Sequence, residues 1–408
     1  MEVKRIDRTQ ISPIRMEKPD WSDSGEPLPV YKVKLSDLYY NADNGRIATW
    51  ISGYQFEHEK PLEELSREEF NDLIETYIVN SESRDSLRKT RDNIEQIGQI
   101  RPGVILEDGR VLSGNRRFTC LRQLYKKHAT PKFEYFECFI LDLPKDEDGK
   151  QRIKTIERMT QFGVNEKQDY NSVEKLVDIY RILINPETKL WSPNEYSKRF
   201  DVKMRDVKLM VSKAEIMVEY LEFIGKPLRF DIARADKLDG PLQELANLRI
   251  SLDEMEWNRI KNFLYSKLYQ TISDKTARTS SIRDVIKVYR KNPEKFQAAL
   301  DTYNADREES EDKYIASLAS GKPADVKPNP ATQPSMSRKA EIQLDKAVND
   351  TKKQMAITKP IEQVDASGTV LDKIDLDIVK RMDEKNKGEL KKAIEKLQEK
   401  INKILENL

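Results

Sequence analysis

Two short apolar runs, Gly103-Val104-Ile105-Leu106 and Arg110-Val111-Leu112, flank Glu107-Asp108-Gly109. Asp-Gly between apolar runs is a strong β-hairpin signal, because the tight turn needs residues that accept positive φ. A lone hairpin cannot bury its own apolar face, so neighbouring segments must supply further strands and a helix layer. Val30, Tyr31, Val33 and Leu35 form a strand-like run closed by Ser36-Asp37, and 133–141 (FEYFECFIL) is another. Over 62–78, Leu62, Leu65, Phe70, Leu73 and Ile74 recur at helical intervals. A charged helix over 83–97 stops at Gly98, and 116–127 reads as a helix with Phe118, Leu121 and Leu124 inward. The sequence thus specifies a small mixed α/β domain over 29–148, preceded by a polar, proline-marked flexible arm at 1–28.

Beyond this domain the pattern changes. Residues 149–303 read as helices with short breaks, an all-α domain. Residues 304–345 combine the acidic run 308–312 with Pro323, Pro328, Pro330 and Pro334 and few large apolar residues, the composition of a disordered linker. Residues 346–408 form a helical C-terminal segment ending in a heptad seam: Leu390, Ile394, Leu397, Ile401, Ile404 and Leu408. The expected fold class is α+β with an appended helical domain, linker and coiled-coil helix. A homodimer through that last helix is expected, because the proline-rich linker separates it from the rest; packing against the chain's own body is the alternative.

Charge excludes one class of function. Lys and Arg number 72 against 71 Asp and Glu, so the chain does not coat polyanions by global charge, and any nucleic-acid binding must come from local patches. Two cysteines, Cys120 and Cys138, and two histidines, His58 and His128, are too few for a disulfide framework or a Cys/His metal centre. No apolar run approaches the ~18 residues that span a bilayer, and 1–21 lacks the apolar core of a secretion signal. A cytoplasmic protein with no membrane partner is expected.

Chemistry concentrates at the second turn. Gly114-Asn115-Arg116-Arg117 opens the helix that follows the hairpin. The first N–H groups of a helix lack intrahelical partners and carry the positive end of its dipole, which suits an anion. Two arginines there are unfavourable unless something negative is bound. A solvated face bridged to acids elsewhere would serve the same charges.

The order Gly98-Gln99-Ile100-Arg101-Pro102-Gly103-Val104-Ile105, Asp108-Gly109, Ser113-Gly114-Asn115-Arg116-Arg117-Phe118 resembles the N-terminal domain of the ParB partition proteins, where a Gly-Glu-Arg-Arg turn opens the corresponding helix. Asn41-Ala42-Asp43-Asn44-Gly45-Arg46 resembles that family's Asn-Pro-x-Gln-Pro-Arg box at Asn41 and Arg46. The resemblance implies a ParB/sulfiredoxin fold and a pocket for a nucleoside triphosphate, CTP favoured, with Mg²⁺. Arg46, Gly114, Asn115, Arg116 and Arg117 would cradle the phosphates. Asn115 replaces the family's Glu, and roughly 47–83 is an insertion. A third family motif falls on 163–174, where Asp169, Asn171 and Glu174 agree and the family's leading Glu-Asn pair meets Gly163-Val164. A local shift would bring Asn165 and Glu166 into that role. Asn165 is then a phosphate ligand, Glu166 a candidate catalytic residue, and Glu166 and Asp169 candidate metal ligands. Weak triphosphatase activity, or nuclease activity of a mobile-element or defence protein, would depend on them.

A helix-turn-helix is expected at 192–213. Ser192-Pro193 with Glu195 is a capping box with proline at the first helical position. Tyr196, Phe200, Val202, Val207 and Met210 take the apolar positions, and Ser197 the small one. Lys203, Arg205, Lys208, Ser212 and Lys213 would face double-stranded DNA. An ordinary helical hairpin with a basic surface would share these features, but the position after a ParB-like domain resembles that family's domain order. The combined expectation is a dimeric, nucleotide-gated DNA-binding protein, with a partner ATPase if it segregates a replicon. An adaptor that has lost its nucleotide is another reading.

Overall fold

The computed structural model describes residues 5–19, 21, 25–144, 146–162, 171–273, 277–319 and 334–408. The N-terminal part contains β1 (Arg15–Glu17), β2 (Leu28–Lys34), β3 (Tyr39–Tyr40), α1 (Ala48–Glu57), α2 (Arg67–Ser81), α3 (Arg84–Ile97), β4 (Gly103–Leu106), β5 (Arg110–Ser113), α4 (Asn115–His128), β6 (Tyr135–Leu141) and α5 (Glu147–Phe162). The six strands make one mixed sheet in the order β1-β2-β6-β4-β5-β3. The expected hairpin is the antiparallel β4–β5 pair, with Gly109 at φ 87° in its turn. β6 runs antiparallel to β2 and parallel to β4, with Gly103 opposite Cys138.

Both sheet faces are covered, so the strands carry apolar residues on both sides. Along β4, Ile105 packs with Val111, Phe136 and Cys138 against Ile51, Ile74, Phe118 and Leu124 of the helices. Val104 and Leu106 point to the other face, onto Phe139, Leu112 and Ile156 of α5. This is the strand period of two, read on two cores.

The α-helical remainder comprises α6 (Ser172–Ile179), continued by a π-helical turn (Tyr180–Ile184), then α7 (Pro193–Arg199), α8 (Met204–Phe223), α9 (Phe230–Ala235), α10 (Asp239–Arg249), α11 (Glu254–Ser273), α12 (Arg278–Lys291), α13 (Pro293–Ala319), α14 (Arg338–Leu371), α15 (Leu376–Arg381) and α16 (Glu384–Leu405). One core joins α6 to the first turns of α14. The chain is α+β.

Three expectations are corrected. The arm at 1–28 is not free where it is described: β1 extends the sheet edge, Ile6 N–H donates to the Glu107 carbonyl at 2.7 Å, and Arg5 and Arg8 pair with Glu107. The linker reading of 304–345 fails at both ends. α13 continues to Ala319, and α14 begins at Arg338, with Met336, Ala340 and Leu344 buried. Alanines pack helices closely without the large apolar residues that signal a core. The helix expected over 62–78 is a 3₁₀ turn at Leu62–Glu64 followed by α2, because Ser66 and Glu69 form a capping box that starts a new helix. α1 carries no one-sided apolar pattern because it is buried on two sides. Ile51 and Tyr54 enter the sheet core, Ala48 the helical one, and the Ser52 hydroxyl donates to the Leu228 carbonyl at 2.6 Å.

Candidate functional site: an anion seat and a nucleic-acid interface

Gly114 caps α4 in the left-handed conformation, φ 93°, where an L side chain is strained. A Cβ there would stand 3.1 Å from the Phe136 ring and 3.3 Å from the Gly103 Cα, so the turn is tight as well as left-handed. The side-chain oxygen of Asn115 is buried with no hydrogen-bond partner among the described residues.

The three arginines expected to bind phosphate do not behave alike. Arg46 and Arg116, from distant parts of the chain, converge on one carboxylate. Arg46 Nη1 lies 3.1 Å from Glu82 Oε1, and Arg116 Nε pairs with Glu82 Oε2. The Glu82 side chain is only 4% exposed. Asn44 sets up Arg46 by accepting its backbone N–H at 3.1 Å. Arg117 is a correction. Its guanidinium donates to the carbonyls of Arg101 at 2.5 Å and Pro102 at 3.0 Å, fixing the entry to β4. Burial, with Arg101 and Arg116 nearby, lowers its pKa to about 10. Asn41 is also structural: it accepts the Asp43 N–H and donates to Glu157 at 2.5 Å.

Glu82 was not singled out by sequence. It stands in the segment read as an insertion, as one extended residue joining α2 to the Ser83 cap of α3, and nothing local distinguishes it from other surface acids.

Asn165, Glu166 and Asp169 lie outside the described residues. Among the described residues no group of His, Cys, Asp and Glu could hold a metal ion. Just after that stretch, Asn171 caps α6 by accepting the Val173 N–H at 2.9 Å. Glu174 is buried against Arg234, 2.6 Å away, and Thr49, 3.1 Å away. Burial pushes its carboxyl up to about 7, against the opposing pull of Arg234, Thr49 and Arg46. Arg234 in turn lies 4.5 Å from the Trp50 ring centre. Arg46, α1, Glu174 and α9 therefore form a continuous polar contact between the sheet domain and the helical domain.

A cavity of about 880 Å³ opens between the β4–β5 turn, α5 and the π-helical turn, lined by Asn41, Asp43, Arg110, Lys154, Glu157 and Arg181 among others. None of residues 114–117 lines it.

Where the helix-turn-helix is expected, two helices, α7 and α8, meet at a short turn. The Ser192–Glu195 capping box starts α7, the Ser197 hydroxyl donates to the Val202 carbonyl at 2.7 Å, and Asp201 takes the left-handed turn at φ 49°. Trp191, Tyr196 and Phe200 form an aromatic knot beneath it. Lys203, Arg205 and Lys208 are exposed along the first turns of α8. Ser212 and Lys213 are not available: both are buried, and Lys213 Nζ donates to Asp239 at 2.6 Å and Gln243 at 3.2 Å. α8 is 20 residues long, so after two turns it enters the helical core through Ala214, Ile216 and Met217. The basic residues of α12 are mostly bridged, Arg283 to Glu244 and Lys287 to Asp284.

Along the seam of α16, Ile394, Ile401 and Ile404 are 52%, 39% and 51% exposed. Among the described residues no helix is long and apolar enough to cross a membrane.

No protein-family model matches the chain, and no curated protein matches it. Among solved structures it is similar to the C-terminally truncated chromosome-partitioning protein ParB from Caulobacter crescentus complexed with CTP-gamma-S. The match has 10% identity and a TM-score of 0.19, covering 53% of this chain and 92% of that one.

Proposed function

We propose that the protein is a ParB-like, dimeric DNA-binding protein whose sheet domain takes a nucleoside triphosphate, CTP favoured, with Mg²⁺, and so controls how the helical domain engages double-stranded DNA. The observation that carries this reading is the meeting of Arg46 and Arg116 at the left-handed N-terminus of α4. Guanidinium groups beside the positive end of a helix offer directional N–H donors that phosphate oxygens would accept. Arg46, Gly114, Asn115 and Arg116 would hold the phosphates, and the bound cation would balance their charge. Arg117 would hold the turn in shape. The exposed Lys203, Arg205 and Lys208 support phosphate contacts to DNA from α8, and the exposed seam of α16 supports a two-copy assembly. Contact between Arg46, α1 and Glu174 supplies a route by which the seat could bias the arrangement of the two domains. The bias can be no larger than the ligand's differential affinity for the two arrangements.

The burial of Glu82 favours a second reading, an adaptor in which this carboxylate permanently completes the turn. Titrating Mg²⁺ with CTP, ATP and GTP into the full chain and into Arg116→Ala separates the two, with duplex-DNA affinity measured at each nucleotide concentration. Nucleotide binding that is lost in Arg116→Ala and shifts DNA affinity supports the gated protein. DNA affinity indifferent to all three nucleotides supports the adaptor.

A further inference from the structure

We infer that the cavity between the β4–β5 turn, α5 and the π-helical turn is a second ligand site, for a small organic carboxylate with an apolar body, and that its ligand bridges the sheet domain and the helical domain. This goes beyond the proposed function and needs neither the anion seat nor DNA. The cavity volume, about 880 Å³, is that of a small-molecule pocket, and such pockets favour domain interfaces. Leu106 and Leu141 reach it from the sheet, Ile153 from α5, and Ile182 and Leu190 from the helical domain. An apolar body there meets aliphatic side chains from all three walls.

Two arginines on the wall call for an acceptor. Arg110 Nε is buried with no hydrogen-bond acceptor among the described residues. The carboxylates of Asp43 and Asp108 stand 3.9 Å from its Nη1 and Nε, too far to bond. Arg181 has no ion pair, and its guanidinium no hydrogen bond, among the described residues. It sits on the π-helical turn, where the Asn185 N–H donates to the Tyr180 carbonyl at 2.8 Å and the Thr188 hydroxyl to the Arg181 carbonyl at 2.7 Å. Single π-helical turns are rare and recur at functional sites. Other polar groups of the wall are already matched. Lys154 donates to Glu157 at 3.0 Å and to the Asp43 carbonyl at 2.9 Å, and Glu107 takes Arg5 and Arg8. An oxygen acceptor from outside the chain completes Arg110 and Arg181, and a planar carboxylate matches the edge of a guanidinium. Among the described residues seven carboxylates and five cations line the cavity, so it turns a polyphosphate away and suits a single negative charge. Two of those carboxylates, Asp43 and Asp142, belong to side chains 71% and 59% exposed, where water screens them.

Fluorescence titration of 1-pyrenebutyrate, and of its uncharged analogue 1-pyrenebutanol, into the full chain tests this. The proteins are wild type, Arg110→Gln and Arg181→Gln. Wild type is expected to bind the carboxylate saturably and on the order of tenfold more tightly than the alcohol. Each variant is expected to lose about tenfold in carboxylate affinity, with alcohol affinity unchanged. In wild type, saturating 1-pyrenebutyrate is expected to slow amide hydrogen exchange at both 103–110 and 180–190, which needs no variant to fold. Equal affinity for carboxylate and alcohol overturns the proposal, as does a carboxylate affinity unchanged in either variant. Protection confined to one of the two segments overturns the bridge between domains. Displacement of the probe by inorganic tripolyphosphate places it at the anion seat and overturns a separate site. No saturable binding of the carboxylate by wild type means a cavity filled by solvent only, and the site falls.

Discussion

Replacing Lys203, Arg205 and Lys208 together by alanine removes the three exposed cations along the first turns of α8. Each phosphate contact contributes about 0.9 to the slope of log affinity against log salt, so the triple variant should lose ~2.7 from that slope per protomer. Between ~50 and ~200 mM salt this corresponds to about 40-fold less salt sensitivity than wild type. Fluorescence anisotropy on a labelled random-sequence duplex measures it, because the phosphate term does not depend on sequence. Arg199 is a useful contrast: it lies 5.5 Å from the Trp191 ring centre and donates to Thr155 at 3.2 Å, so it has structural work to do and is left in place. A triple variant with the wild-type slope would refute the placement of α8 against DNA, whatever its absolute affinity.

Lys213→Ala should leave that slope unchanged but destabilise the fold by about 2 kcal/mol, read by urea unfolding, since it strips Asp239 of a charged hydrogen bond. Gly109→Ala should cost at least about 2 kcal/mol in the same assay, because φ 87° disfavours any L side chain and its Cβ would stand 2.4 Å from the Asp37 carbonyl oxygen. Burial holds the folded-state pKa of Glu174 at about 7, above the ordinary glutamate value of 4.5, so the native state binds the proton more tightly. Its contribution to stability is full below pH ~4.5 and is lost as pH rises through about 7; thermal melts should show this decline, and Glu174→Gln should flatten it. Deleting 384–408 should convert a dimer to a monomer in light scattering, because the deletion removes the exposed isoleucine seam.

Where local chemistry fixes conformation, the sequence was sufficient. Asp108-Gly109 between apolar runs dictated the hairpin, Ser192-Pro193 with Glu195 dictated the start of α7, and Gly114 marked the bend before α4, since each depends only on backbone preferences within a few residues. The directions of side chains far along a helix were not legible. Ser212 and Lys213 look like continuations of a basic face, and only the packing of α8 against α10 turns them inward. α1 was invisible because its two partners bury opposite sides and erase the periodicity. The seat shows the division most clearly. Sequence order placed Arg46 and Arg116 in motifs, but the carboxylate between them comes from a joint between two other helices. A charge pair made across distant segments leaves no trace in spacing, because its energy depends on distance in space and on exclusion of water, and only the folded chain sets those two quantities.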